Sequence, residues 1–481
     1  MFNNKKIMST LLSKIRFLLI AIMLVAGVVT TFADDGSVPP PISLNVKAGE
    51  LSSLIPESKM YKITNLKLTG ELNIDDIVFI REMGACQGCD NKGCLQHLDI
   101  LDVTFVGDGS YRYDGGYYSF NVDLKTNRNI FYGSQSLQTI KLPRTLKSLG
   151  VGFLEGCNNL VSVTLPSALN DINLFAFDNC GKLTSIMIDA KNPYFHSDDS
   201  VLFNKDCTEL VLAAKLTDYV IPNSVVRIRS KAFSNCSGLT SVTFPSGLTR
   251  IGSFAFAGCS GLTSVTFPSG LTTIYNNAFS GCSGLTSLTF PPGLTTIEEH
   301  AFENCSGLTS VTFPSGLTTI CDDAFSGCSG LTSLIFPSGL TTIGSAFDGC
   351  SGLTSLTFPS SLTWIGRYAF FCFDDSNIKT IYSYASFPPR LGDNAFNDKV
   401  QQTSILYVPK DSYQDYWLSD TWGNFENIKT FDASAVEPVF TADDASETSR
   451  YTVGGQKQDN PVKGLNIIKM SDGSVKKIMV K

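Results

Sequence analysis

Through the middle of the chain, apolar and polar residues alternate in short bursts that return at a fixed interval. Between Cys236 and Phe370 the phrase CSGLTSVTFPSGLTTIxxxAFxx occurs six times with few changes, and Cys236, Cys259, Cys282, Cys305 and Cys328 stand 23 residues apart. Cys350 and Cys372 each arrive one residue early. Within LTSVTF the pattern turns Leu239, Val242 and Phe244 inward and Ser241 and Thr243 outward, and its β-branched residues favour a strand. Pro245 ends that strand, because it has no N–H to give to a central ladder. Ser246-Gly247 turns the chain, Leu248 and Ile251 start a second buried edge, and Ala255-Phe256 packs as a small/large pair beneath the next coil. A short unit of this kind cannot bury its apolar side alone and must stack on copies of itself. The expected fold is a β-rich repeat solenoid, with a parallel sheet along one face and short irregular or 3₁₀ segments opposite.

The same pattern, less regular, extends upstream. Leu95, Leu98 and Leu101 in LQHLDILDVTF open the first imperfect coils, and better ones follow from Ser136 to Leu149 and from Cys157 to Phe177. A coil opening at Cys180 is interrupted over 189–216, and the pattern resumes at Val220. These features divide the chain into a signal peptide (1–33), an N-terminal capping segment (34–80), a solenoid (81–380, with near-identical repeats over 236–372), a C-terminal cap (381–431), a linker (432–450) and a β tail (451–481). The capping segment carries a helix-then-strand run, LSSLIPESKMYKITNLKLTGELN. The C-terminal cap gathers Tyr407, Tyr413, Tyr416, Trp417, Trp422 and Phe425 to cover the last coil. Asp472-Gly473 between alternating runs marks a hairpin in the tail.

The first 33 residues change the compartment. Lys5, Lys6, Lys14 and Arg16 precede a short apolar core at 17–29, and Thr31-Phe32-Ala33 provides small residues for cleavage. That apolar run is shorter than a membrane span needs, so the mature chain is expected to be exported, with no transmembrane segment after cleavage. A net charge of −7 and the absence of a Lys/Arg-dense face argue against a nucleic-acid partner.

The fourteen cysteines are of two kinds. Those in the repeats recur once per coil and should form a buried column, at a spacing that also suits a disulfide. A run of identical positions packs well as free thiols, and thiols are the preferred reading. Cys207 and Cys321 fall off the column. The second kind is the cluster Cys86, Cys89 and Cys94 with His97. Its spacing is short for a structural zinc site, which usually draws two ligand pairs across a longer gap; a local disulfide with an odd thiol is preferred, and no metal or cofactor is expected.

LTSVTFPSGL fits the leucine-rich-repeat pattern LxxLxL, and the AFxxC element narrows the match. The unit AFxxCxxLxxVxLPxxLxxI stands here at Ala255-Phe256, Cys259, Leu262, Val265, Phe267-Pro268, Leu271 and Ile274. From about Ile42 to Phe431 the chain resembles the BspA-like leucine-rich-repeat surface proteins, and the tail after Tyr451 resembles the Por-type sorting segments of secreted Bacteroidetes proteins. The first resemblance implies a cell-surface protein, on the exterior of the outer membrane, that adheres to extracellular host proteins or to neighbouring bacterial surface proteins. Fold does not fix function, so a glycan-binding surface protein and a structural envelope component remain rival readings.

No chemistry competes with these readings. The three histidines, His97, His196 and His300, have no nucleophile motif, and no phosphate-binding loop is present. Catalytic residues are therefore expected to be absent. Glu298-Glu299 and Asp322-Asp323 on adjacent coils are read as solvated carboxylates rather than a cation site. The candidate ligand face is of two parts. One is the pair of outward rows formed by Ser241/Thr243, Ser264/Thr266, Ser287/Thr289 and Ser310/Thr312; Ile335 later breaks the second row. The other is the varied triplet before each Ala-Phe pair, including Tyr275, Asn276, Glu298, His300, Asp322, Arg367 and Tyr368, where differences between repeats could encode specificity; Trp364, which replaces a consensus Thr, is a further candidate.

Overall fold

A computed structural model describes residues 39–86, 93–115, 118–198, 200–373 and 376–432, and the strands Glu447–Thr452, Lys457–Gln458, Gly464–Met470 and Val475–Val480. The expected signal peptide lies outside these residues. From Ile42 onward the chain is a β-solenoid whose successive coils pair in parallel. The strands Ile42–Val46 and Asn65–Leu72, from the segment read as a cap, form the first rungs of the same sheet that continues through His97–Phe105 to Ser185–Ile188. Between them lie the short helices Leu51–Leu54 and Glu57–Met60.

A helix at Ile74–Met83 follows, set by a capping box. The Asn73 side chain accepts from the Asp75 and Asp76 amides, and the Asp76 carboxylate accepts from the Asn73 amide at 3.0 Å. Near its end the fully buried Arg81 donates to the Asn129 carbonyl at 2.9 Å, tying the helix to the next coil.

Each regular coil has three sides. The first is the Ser-Val-Thr strand, as at Ser287–Thr289 pairing in parallel with Ser310–Thr312. The second is a two-residue Thr-Ile strand, seen at Thr319–Ile320 between Thr296–Ile297 and Thr342–Ile343. Opposite the main strands, therefore, the coil carries a second narrow parallel ladder and hydrogen-bonded turns; in the described residues 3₁₀ helix occurs at Lys410–Ser412 and Trp422–Asn424.

The third side is the Ala-Phe turn. Three of its amides donate to the next coil: Phe254, Phe256 and Gly258 donate to the carbonyls of Asn276, Ala278 and Ser280 at 3.1, 2.7 and 2.7 Å. The residue before the repeat cysteine must adopt positive φ to close this turn. It is Gly258 at 73° and Gly281 at 73°, and Asn235 and Asn304 at 58° elsewhere, the residues that tolerate this region best.

The interior consists of columns. Phe233, Phe256, Phe279, Phe302, Phe325, Phe347, Phe370 and Phe396 stack ring on ring, with centroids 4.8–5.5 Å apart. A second phenylalanine column from the strand ends meets them edge-on, as Phe290 does Phe302 at 5.3 Å and 73°. The repeat cysteines are free thiols. Cys259, Cys282, Cys305 and Cys328 each donate to the phenylalanine carbonyl 26 residues earlier, at 3.1–3.3 Å. Each of these sulfurs is thus tied to the backbone of the coil below it.

The interruption at 189–216 is an antiparallel arrangement of Phe195–Ser197, Val201–Asn204 and Glu209–Ala213, whose last strand rejoins the solenoid in parallel with Arg227–Ile228. At the other end, Ile405–Pro409 and Ile428–Phe431 extend the sheet. Of the aromatics expected to cover the last coil, Tyr416, Trp422 and Phe425 are buried. Trp417 is 58% exposed and Tyr413 38%, because the helix Tyr413–Trp417 puts positions four apart on its outer side. The tail strands form an antiparallel sheet in which Gly464–Met470 pairs with both Glu447–Thr452 and Val475–Val480. That sheet takes in Glu447–Arg450, which composition had assigned to the linker; strand pairing overrides the local preference.

Candidate functional site

The outward rows are built by register. Ser287 lies opposite Ser310 and Thr289 opposite Thr312, and Ser241 bridges Ser264. Ser241, Thr243, Ser264, Thr266, Ser287, Thr289, Ser310 and Thr312 are all exposed. Among the described residues none of their hydroxyls has an intramolecular hydrogen bond.

The threonines just before each strand behave differently. Thr240, Thr263, Thr286 and Thr309 each donate a hydroxyl to the carbonyl of the corresponding threonine or its equivalent one coil earlier, at 2.8–3.5 Å. A second such column runs through Thr318, Thr341 and Thr363. Neighbouring hydroxyls thus divide, among the described residues, into those that tie coils together and those with no intramolecular partner. Ile335, 36% exposed, interrupts the threonine row as its sequence position implies.

The other candidates lie away from these rows. Trp364, 38% exposed, sits on the narrow second ladder between Thr342 and Arg390. Tyr275, His300, Arg367 and Tyr368 lie on the Ala-Phe turn. The residue preceding each Ala-Phe pair has positive φ in several coils: Lys231 64°, Phe254 59°, His300 55° and Tyr368 57°. His300 Nδ1 is 3.2 Å from Glu303 and 3.9 Å from Asp323. Arg367 donates to the Tyr368 hydroxyl at 2.8 Å and stacks over its ring at 4.5 Å. These candidates therefore occupy separate sides of the coil, and a single flat ligand cannot engage them all.

Several surface groups carried no signal in the repeat consensus. Phe371 meets Phe373 edge-on at 5.0 Å, and Phe373 is 89% exposed. Both stand where the AFxxC spacing contracts to AFFC. Cys321, off the thiol column, is pushed up to about 11 by desolvation and by Glu298, Glu299 and Asp322. In the N-terminal cluster Cys86 is disulfide-bonded and Cys94 is free. His97 Nδ1 engages the Thr139 hydroxyl at 3.0 Å, while Cys89 lies outside the described residues. Among the described residues no three His, Cys, Asp or Glu side chains converge as a metal-binding set, and no helix is long and apolar enough to cross a membrane.

Known proteins share this architecture. A leucine-rich repeat protein from Eubacterium ventriosum is 20% identical, with a TM-score of 0.50 over 68% of this chain and 87% of its own. One from Bacteroides ovatus is 23% identical over 70% of this chain and 84% of its own, with a TM-score of 0.38. A leucine-rich cell surface protein from Faecalibacterium prausnitzii is 22% identical over 58% and 78%, with a TM-score of 0.38. At 20% identity the likeness to the first of these is one of fold. No curated protein matches the sequence. The family described as "BspA type Leucine rich repeat region (6 copies)" matches residues 125–212, 211–332 and 322–429, more than half of the chain. With its Ala-Phe turns, thiol column and parallel strand ladders, the chain belongs to the BspA-type leucine-rich repeat family.

Proposed function

We propose that this chain is an exported, non-enzymatic protein of the bacterial surface, and that it adheres to extracellular proteins through the Ser/Thr rows of its solenoid. The observation that carries this is the division among hydroxyls. Those of the Thr240 column are spent on the neighbouring coil, whereas those of Ser241, Thr243 and their equivalents have no internal partner. Evenly spaced free donors and acceptors suit a partner with a repeating backbone or side-chain pattern, bound by many weak equivalent contacts. The family and the fold are those of repeat scaffolds, which fits binding better than turnover. Export by the first 33 residues and sorting by the tail after Tyr451 complete the proposal, with the segment boundaries given above.

The test is binding of the immobilised chain to fibronectin, fibrinogen, mucin and a glycan panel at two salt concentrations. A companion variant carries Thr266→Lys, Thr289→Lys and Thr312→Lys, exposed changes that leave the core untouched. Saturable protein binding that this variant loses supports adhesion. Binding confined to glycans would replace adhesion with glycan capture, and silence across the panel would leave the structural envelope role.

A further inference from the structure

At the 189–216 interruption, among the described residues, a coil is present on the sheet side and missing on the turn side. In regular coils the Ala-Phe turn passes three amides to the next turn; Phe233 and Asn235, for example, donate to the Ala255 and Ala257 carbonyls at 2.7 Å each. The coil at Phe177 meets the interruption instead. Its strands supply sheet rungs, but it contributes no Ala-Phe turn, and its Ala213 amide takes the Ala232 carbonyl at 2.8 Å. Among the described residues the amides of Phe177 and Asn179 are left without an acceptor. Their counterparts point along the solenoid axis, so these two point into the space where the missing turn would lie. That space is a cavity of about 230 Å³, lined by Phe177, Asp178, Asn179, Lys215, Arg229 and Lys231 among others.

Its charge is unbalanced. Lys231 bridges the gap to Asp178, both largely buried, and its ammonium lies 4.3 Å from the Phe175 ring centre. Lys215 donates to the Asn235 carbonyl. Arg229 has no ion-pair or side-chain hydrogen-bond partner among the described residues. Three cations therefore face one carboxylate at the wall. Glu155, close behind Asp178, has its carboxyl pushed up by burial and by Asp178, against the pull of Lys231.

Unpaired amides and an unpaired guanidinium around a cavity make an anion site, because an anion satisfies donors that the fold leaves open. We propose that this gap binds a hydroxyl-bearing monocarboxylate about the size of one sugar ring. Asp178 at the wall opposes a dianion such as phosphate more than a single carboxylate. Asn158, Ser234 and Asn235 line the remainder with groups suited to hydroxyls, and Leu183 and Val211 offer an apolar floor. The carboxylate would sit between the Arg229 guanidinium and the amides of Phe177 and Asn179. The site is independent of the Ser/Thr rows and does not depend on adhesion.

Calorimetric titration of the full chain with glucuronate, N-acetylalanine, glucose and inorganic phosphate tests this. Glucuronate should bind saturably and most tightly, and glucose should give no heat. Arg229→Met should weaken glucuronate about ten-fold or more, as loss of a charge-assisted hydrogen bond does, while Arg250→Met leaves it unchanged. Thermal unfolding of both variants establishes that they fold. Phosphate or N-acetylalanine binding more tightly than glucuronate overturns the ligand class. No saturable binding by any anion, or binding indifferent to Arg229→Met in a folded protein, overturns the site.

Discussion

Raising the pH should unfold this protein through its thiol column, and the size of the effect follows from burial. Desolvation pushes Cys157 and Cys282 up to about 12 and Cys236 and Cys372 up to about 11, from an ordinary value of 9.0. Between pH 8.5 and 10 the unfolded chain gives up these protons while the folded chain keeps them. The unfolded state then binds fewer protons, so stability falls as pH rises; below about pH 8 the contribution is fully present and flat. Integrated over that window, each thiol costs about 1.2 kcal/mol, and the four together about 5 kcal/mol. Tyr219 and Tyr416, also held up by burial, begin to add to this towards pH 10, around which free tyrosine titrates. The assay is urea denaturation in reductant at pH 7.5, 8.5, 9.5 and 10, followed by far-ultraviolet circular dichroism. The variant Cys236→Ala/Cys282→Ala should be less stable at pH 7.5 but lose about 2.4 kcal/mol less across the window. A flat profile from pH 8.5 to 10, or an unchanged slope in the variant, would refute the argument.

Other perturbations probe the columns and turns. Phe302→Ala removes a fully buried ring stacked on Phe279 and Phe325; it should cost about 3–5 kcal/mol by chemical denaturation, while Phe373→Ala at the exposed rim should stay within about 0.5 kcal/mol. Phe254 holds φ at 59° while 40% exposed, so Phe254→Asn should stabilise by roughly 0.5–1 kcal/mol in thermal unfolding. At Gly281, φ is 73° and the nearest atom to an added Cβ is 3.6 Å away. Gly281→Ala should therefore cost about 1 kcal/mol from backbone strain alone, and Gly281→Asn clearly less, since Asn235 and Asn304 fill the same place.

Much of the regular solenoid was legible in the chain. Leu239, Val242 and Phe244 point inward, the Ser/Thr rows face out, and Cys207 and Cys321 stand off the column. The two threonines of Gly-Leu-Thr-Ser and Gly-Leu-Thr-Thr look alike in sequence to the Ser-Val-Thr threonine. Only the stacked coils show that Thr240 and Thr318 bond to the coil before, while Thr243 and Thr312 do not. The helix Ile74–Met83 and the hairpin of Ser110–Gly115 with Tyr118–Asp123 lie where the repeat has drifted, although Asn73 and Asp76 at capping-box spacing offered a signal for the helix. The varied residues before each Ala-Phe pair read as specificity positions; their left-handed backbone appears only when the turn is built.

The solenoid follows from the chain alone, because stacking one coil on its neighbour is a local problem and a short recurring period solves it for each regular coil. What the period cannot fix lies where it fails, and there packing settles the outcome. Among the described residues Phe177 and Asn179 lack acceptors because the interruption, and not an Ala-Phe turn, follows them, while the strand ending at Ala213 bonds onward to the Ala232 carbonyl. That arrangement brings together residues more than thirty positions apart, and no local pattern encodes it.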